Sequence, residues 1–245
     1  MTVNVTKPAL NIREKLAELD KPSGIAGEAM LRADSVQEQR NLIGAGRKNW
    51  IINGDLRVSQ RGDYTTATAY TTGAYYLDRW KLGATHSGTV QDLGSSVKYA
   101  ATGATATGYI EAQQYIEDWE YLKGKTVTVS AYVTSNTPNA KLYAYDGVSL
   151  QLMGNHTGDG TKQYISGTTT LSSSTTSLRI FVSISSASGG NTSIAAGDYI
   201  EFTEVQLELG SVATDFEHRS YGEILADCQR YCYVFDGTQN QDLML

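Results

Sequence analysis

From residue 49 to about residue 210 the apolar residues recur at every second position, and nowhere in that span does the pattern shift to a helical period. Val127, Val129, Ala131 and Val133 alternate with Thr126, Thr128, Ser130 and Tyr132, and Leu178, Ile180, Val182 and Ile184 alternate with Arg179, Phe181 and Ser183. Ile200 and Phe202 fall on one face of a strand, while Val205, Leu207 and Leu209 resume in the other phase, which is the mark of a bulge between them. Shorter runs of the same kind occupy 51–58, 75–82, 109–116 and 141–145, separated by turn formers such as Gly94-Ser95-Ser96 and Gly158-Asp159-Gly160. Successive side chains of a strand point to opposite faces, so each run commits one face to a core. Many half-buried strands without intervening helices fold as a sandwich or barrel. For a chain of 245 residues, a jelly roll of about eight strands is the economical solution.

Both ends depart from this pattern. In residues 1–48, Leu10, Ile12, Leu16 and Leu19 recur near the helical period, with Asn11 and Glu14 spaced like a capping box. Pro22 and Gly24 break the segment, and a second helix is expected from Ser35, with Val36, Leu42 and Ile43 as its apolar edge and Gly44 as its stop. Helices so short and sparsely apolar need a partner surface to hold their shape in water. The segment therefore reads as a docking and oligomerisation arm, or as a leader that orders only in part. Residues 49–218 form the sandwich, and 219–245 a C-terminal helix and tail. Ser220 and Glu223 repeat the capping-box spacing there, and Ile224, Leu225, Cys228, Tyr231 and Cys232 give an apolar face. The expected fold is thus mainly β: a jelly-roll β-sandwich with an N-terminal helical attachment arm and a short C-terminal helix.

Composition narrows the function. Acidic residues outnumber basic ones 26 to 20, so there is no cationic surplus to neutralise phosphates, and nucleic acid is not an expected partner. No run approaches the roughly 20 apolar residues needed to span a bilayer, and residues 1–10 lack the charged and apolar regions of a secretory signal. If the protein acts outside a cell, export by a secretory signal is not the expected route. The two cysteines lie four residues apart, His86, His156 and His218 share no ligand spacing, and no nucleophile elbow, zinc-protease or phosphate-loop motif occurs. Neither a metal site, a cofactor nor a catalytic residue is expected. Glu117, Asp118 and Glu120 have the make-up of a glycosidase-like carboxylate cluster, but adjacent acids in a strand or loop are usually a solvated edge.

Sixteen tyrosines against four phenylalanines point to polar aromatic surfaces. Trp119 and Tyr121 cluster ahead of the strand at Thr126, and Tyr143 and Tyr145 share a face of another strand. Sugar rings stack their C–H faces on such side chains; the same tyrosines also serve as half-buried cross-strand pairs. These four are the candidate glycan-contacting residues. Arg57, Arg61 and Arg79 are expected to pair with Asp55, Asp78 or Glu217 as clamps, with an Arg group for an acidic glycan as the alternative.

Three stretches resemble a known family. Asn49-Trp50-Ile51-Ile52-Asn53-Gly54-Asp55-Leu56-Arg57-Val58-Ser59-Gln60-Arg61-Gly62 resembles the opening of the β domain in phage tail and tail-fibre proteins, and Asp78-Arg79-Trp80-Lys81-Leu82 is similar to the motif that follows it. Val205-Gln206-Leu207-Glu208-Leu209-Gly210, running on through Asp215-Phe216-Glu217-His218-Arg219-Ser220 to Cys228-Gln229-Arg230-Tyr231, resembles its close. Residues 11–46 resemble the N-terminal attachment segments of fibres in short-tailed marine phages. Trp50, Asp215 and Cys232 depart from the residues usual in the pattern. The resemblance implies a virion structural protein, a tail fibre or tail appendage, located in the phage tail. It further implies a homotrimer held to other tail proteins (adaptor or nozzle) by the arm, with the sandwich mediating or supporting host attachment, either by touching a host surface glycan or by carrying further adhesin parts.

Overall fold

The alternation has its expected consequence in a computed structural model that describes residues 48–234. Its strands are β1 (Thr68–Ala69), β2 (Tyr75–Leu77), β3 (Trp80–Ala84), β4 (Gly88–Asp92), β5 (Val97–Ala101), β6 (Thr105–Gly108), β7 (Ile110–Tyr115), β8 (Thr126–Ser135), β9 (Ala140–Tyr145), β10 (Leu150–Asn155), β11 (Lys162–Thr170), β12 (Arg179–Ile184), β13 (Thr192–Ile194) and β14 (Tyr199–Leu209). Two six-stranded sheets result, in the orders β1-β4-β5-β14-β8-β11 and β10-β9-β12-β7-β3-β2, while β6 and β13 form a separate ribbon. Neighbouring strands are antiparallel throughout, as β14 is to β5 and β8, and β12 to β7 and β9. Apart from the hairpins β2–β3, β4–β5 and β9–β10, the chain passes back and forth between the two sheets as it proceeds from β3 to β14. That winding is a jelly roll.

The inner faces are the ones read from the sequence. Val127, Val129, Ala131 and Val133 of β8 share one core with Leu142 and Ala144 of β9, Ile180, Val182 and Ile184 of β12, and Phe202, Val205 and Leu207 of β14. The bulge in β14 lies where the phase changes. Thr203 pairs with Tyr132 and Gln206 with Ser130, so Glu204 and Val205 together face the single residue Ala131. Sequence reading does not single out β11, because Ile165 is its one buried side chain and the rest is a polar edge. What fastens it to β8 besides backbone pairing is a ladder of hydroxyls, Thr126 with Thr170 at 3.0 Å and Thr128 with Thr168 at 2.9 Å.

The run at 51–58 is not a strand. Its apolar residues are buried, but side-chain amides take the place of ladder bonds. Asn49 Oδ1 accepts from the N–H groups of Ile51 (2.9 Å) and Leu207 (3.0 Å), and its Nδ2 donates to Val205 O (3.1 Å). Asn53, at φ 57°, donates through Nδ2 to Val58 O (2.9 Å) and Asp78 O (3.0 Å) and accepts at Oδ1 from Val58 N (3.0 Å). Trp80 Nε1 donates to the Asn53 carbonyl at 2.9 Å. Gln114 holds both the N–H and the C=O of Ile52 at 2.8 Å. Gly54 accepts from Val205 N at 2.9 Å, and a Cβ there would lie 2.3 Å from Val205 O, so only glycine allows the approach.

The arginines divide. Arg57 pairs with Asp55 and donates to Arg219 O, and Arg61 meets Asp78 at 3.2 Å. Arg79 takes no carboxylate: at φ 75° in the turn between β2 and β3, it donates to Tyr115 O (2.8 Å) and lies 3.5 Å from the centroid of the Tyr231 ring. Glu217 instead accepts from the backbone N–H groups of Lys48 and Asn49 at 3.3 and 2.7 Å.

The C-terminal helix, α1 (Tyr221–Gln229), carries the expected capping box between Ser220 and Glu223. Ile224 and Cys228 pack on Ile52 and Val58 as a small second core. The helix is shorter than the expected apolar face. It ends before Tyr231, whose ring is exposed and engaged by Arg79 rather than buried. The arm residues Leu10, Ile12, Leu16, Leu19, Val36, Leu42 and Ile43, and the apolar triplet at 243–245, lie outside the described residues.

Asn53→Ala would take the partner from Val58 N–H and Asp78 O, while Val58 O keeps its bond from Asp78 N–H, and would put alanine in a left-handed conformation. We expect a loss of about 3 kcal/mol in urea unfolding; a loss under about 1 kcal/mol would show that these amide contacts do not hold the segment.

Candidate functional site

The four aromatics chosen from the sequence do not form one surface. Trp119 and Tyr121 sit in a 3-10 turn, Trp119–Leu122, anchored by buried Leu122. Tyr121 is 76% exposed, while Trp119 is half-buried with Lys123 Nζ 4.8 Å from its ring. Tyr143 and Tyr145 lie on the outer face of the other sheet. Tyr145 is half-buried, 5.4 Å from the Arg179 guanidinium. Tyr143 needs correction as a sugar-stacking residue. It is fully buried, its ring is stacked on Phe181 at 4.9 Å, and its hydroxyl donates to Ser186 O, so no face is left for a ligand. Burial raises its hydroxyl pKa.

The carboxylate cluster also separates. Glu117 is paired with Arg230 at 2.6 Å, and Asp118 is the left-handed residue ahead of the 3-10 turn. His156 is a loop fastener: Nδ1 accepts from Gly158 N at 2.8 Å, so Nε2 carries the proton and donates to Thr161 O at 2.7 Å. Burial pushes the Cys228 thiol up to about 12, where it is protonated and inert. Among the described residues, no group of three or more His, Cys, Asp or Glu side chains could hold a metal ion.

What the fold does build is a groove on the outer face of the first sheet, about 530 Å³ in volume. Its floor is Ser130 and Tyr132 of β8 and Tyr164 of β11, with Glu204 from the β14 bulge. Tyr132 and Tyr164 are direct cross-strand partners, their rings 5.1 Å apart and tilted by 56°. Glu204 reaches this face because the bulge places it in a left-handed conformation, φ 52°. A non-glycine residue there costs of order 1–3 kcal/mol, which the surrounding structure must sustain.

The opposite wall is the segment after β14, with Thr214, Asp215, Phe216 and His218 facing the groove. Two buried side chains hold it. The Glu208 carboxylate accepts from Thr214 N (2.9 Å) and Thr214 Oγ1 (2.7 Å), and Gln206 donates to Thr214 O (3.2 Å) while accepting from Glu217 N (2.9 Å). Phe216 and His218 meet edge to face at 5.2 Å. A smaller hollow of about 120 Å³ also uses Tyr132, and is completed by Lys162, Thr134, Ser96 and Glu201. There Lys162 Nζ lies 4.4 Å from the Tyr132 ring centroid, and Ser96 donates to Glu201 at 2.6 Å.

Tyrosine rings flanked by carboxylates and hydroxyls suit a flat, hydroxyl-rich ligand. Rings take up the apolar faces, and the oxygens serve as acceptors and donors. Sequence reasoning missed Tyr132, Tyr164, Glu204 and Asp215 as a group. Tyr132 and Glu204 stand in recognised strands, but their convergence depends on β11, which lacks an apolar alternation, and on a wall fastened by buried Gln206 and Glu208.

No protein-family profile matches the chain, and no curated protein matches it. Solved structures share partial likeness. TmCBM61, solved in complex with β-1,4-galactotriose, is 14% identical over 67% of this chain and all of its own, with a TM-score of 0.39. The xylan-binding domain from CBM 22 is 13% identical over 63% of this chain and 99% of its own, TM-score 0.39. The enzymatically active domain of tailspike protein 4 from bacteriophage CBA120 is 16% identical over 66% of this chain but 21% of its own, TM-score 0.37. The jelly-roll assignment stands on the strand order.

Burial separates the two strand tyrosines in a measurable way. Tyr143→Ala should cost about 3–5 kcal/mol in chemical denaturation, and Tyr164→Ala, 48% exposed, less than about 1 kcal/mol. Equal costs would contradict the burial described.

Proposed function

We propose that this chain is a structural and attachment component of a phage tail, whose sandwich offers a glycan-binding groove on its outer β5-β14-β8-β11 face. The observation that supports glycan binding is the Tyr132–Tyr164 platform beside Glu204 and Asp215. Trp119, Tyr121 and Tyr145 lie outside that groove.

The tail role is supported by what the three fibre-like stretches do. Although separated by up to about 150 residues, they meet around Asn53, Gly54, Trp80, Val205 and Glu217, and share the same buried hydrogen bonds. The shared pattern therefore has a physical meaning, a clamp that joins the first turn, the β2–β3 turn and the end of β14. On this reading the arm, through Leu10, Ile12, Leu16, Leu19, Val36, Leu42 and Ile43, docks on an adaptor or nozzle protein and joins three copies. The site of action is the virion, with the sandwich directed to a host surface glycan.

Two experiments test the halves separately. On a glycan array and on host cells, Tyr164→Ala or Tyr132→Ala should weaken binding at least ~10-fold, about 1.4 kcal/mol, without lowering the melting temperature. Release of reducing ends from the same glycans would replace binding by hydrolysis as the function. Removal of residues 1–47 should abolish incorporation into particles while the sandwich keeps its cooperative unfolding, and retained incorporation would end the docking role.

A further inference from the structure

The larger compartment of the groove is lined by two carboxylates, Glu204 and Asp215, and by no lysine or arginine. Neither side chain pairs with a cation among the described residues. Directly behind the wall lies a third carboxylate, Glu208, 4% exposed, satisfied by Thr214 and Gln206 rather than by a positive charge. Two ammonium groups border this lining without joining it, those of Lys162 and Lys48, so two facing carboxylates and a third behind them are only partly offset. Lys162 lies on Tyr132 at the smaller hollow, Lys98 lies 4.0 Å from the Tyr199 ring alongside Glu201, and the Lys48 ammonium is bound to the backbone oxygen of Asp215. His218, Tyr132 and Tyr164 are the other titratable groups lining the larger compartment. A concave, partly desolvated surface with one sign of charge concentrates its field and repels like charge.

We infer that the groove is a charge filter: Glu204 and Asp215 admit neutral sugar chains over Tyr132 and Tyr164 and exclude chains bearing uronate or sialate groups. This rests on the glycan-binding reading and deepens it, because the two residues set which glycans are accepted rather than whether any is. The β14 bulge is what makes the filter, since an unbulged strand would keep Glu204 in regular alternation instead of adding it to the Tyr132 face. Carboxylates in such a site also accept hydrogen bonds from sugar hydroxyls, so neutral chains gain where anionic ones lose.

The test uses the full chain on matched neutral and uronate- or sialate-bearing oligosaccharides, at low and at about 0.5 M salt. Wild type should bind the neutral members at least ~10-fold more tightly than their anionic counterparts. Salt should narrow that ratio. Glu204→Gln with Asp215→Asn should cut the neutral-to-anionic ratio at least ~10-fold, by strengthening anionic binding and weakening neutral binding, and Asp215→Asn alone, in an exposed segment, should move the ratio in the same direction. Equal or tighter binding of anionic chains by wild type would overturn the filter, as would an unchanged ratio in both variants. Neutral binding that survives Tyr164→Ala would instead displace the ligand from this groove, and binding of no glycan at all would remove both readings.

Discussion

The buried carboxamides of Asn49 and Asn53 are what the rest of the structure depends on. They let an irregular, largely apolar segment lie against the second half of β14 without leaving its backbone unsatisfied, which in a buried setting costs about 1–3 kcal/mol per group. Asn49 stands in for a strand neighbour by reaching Ile51, Leu207 and Val205 at once. Asn53 closes its own turn and ties it to Asp78. With that segment seated, Gly54 meets Val205 at the bulge, Trp80 reaches the Asn53 carbonyl, and Ile52 and Val58 form the bed for α1.

The bulge in β14 connects this packing to the groove. Val205 is turned inward, bonded on its N–H by Gly54 and on its carbonyl by Asn49, and Glu204 is left for the outer face. The strained conformation at Glu204 is thus held from behind by the segment that the asparagines stabilise. Beyond the bulge, Gln206 and Glu208 face outward yet are buried, because the following segment folds back over them and becomes the groove wall. One irregularity therefore fixes both the clamp and the chemistry of the candidate site.

How much of this could be read in advance follows from which physical signals are local. The period-two runs of β8 and β12, the phase change in β14 and the Ser220–Glu223 cap are local, and each has its counterpart in the structure. The run at 51–58 has the apolar content of a strand, but its pairing is made by side-chain amides, which leave no periodic trace. β11 is an edge strand held by threonine hydroxyls, so it lacks the alternation that marks its neighbours. Tyr143 and Tyr164 are both strand tyrosines yet opposite in exposure, because Ser186 and Phe181 enclose Tyr143 while Tyr164 is open to the groove. That distinction belongs to the tertiary arrangement, as does the meeting of Tyr132 with a wall more than 80 residues further along.

The position of Lys48 has a mechanical consequence. The chain enters the sandwich there, and its first fastenings are to the groove wall: backbone N–H groups of Lys48 and Asn49 to Glu217, and the Lys48 ammonium to the Asp215 carbonyl. Tension applied to the chain at Lys48 would reach those bonds at or before the Asn49 carboxamide's bonds to β14, and would pull on the same loop that carries Phe216 and His218. Occupancy of the groove and a pull on the chain at Lys48 would then be felt by one short segment.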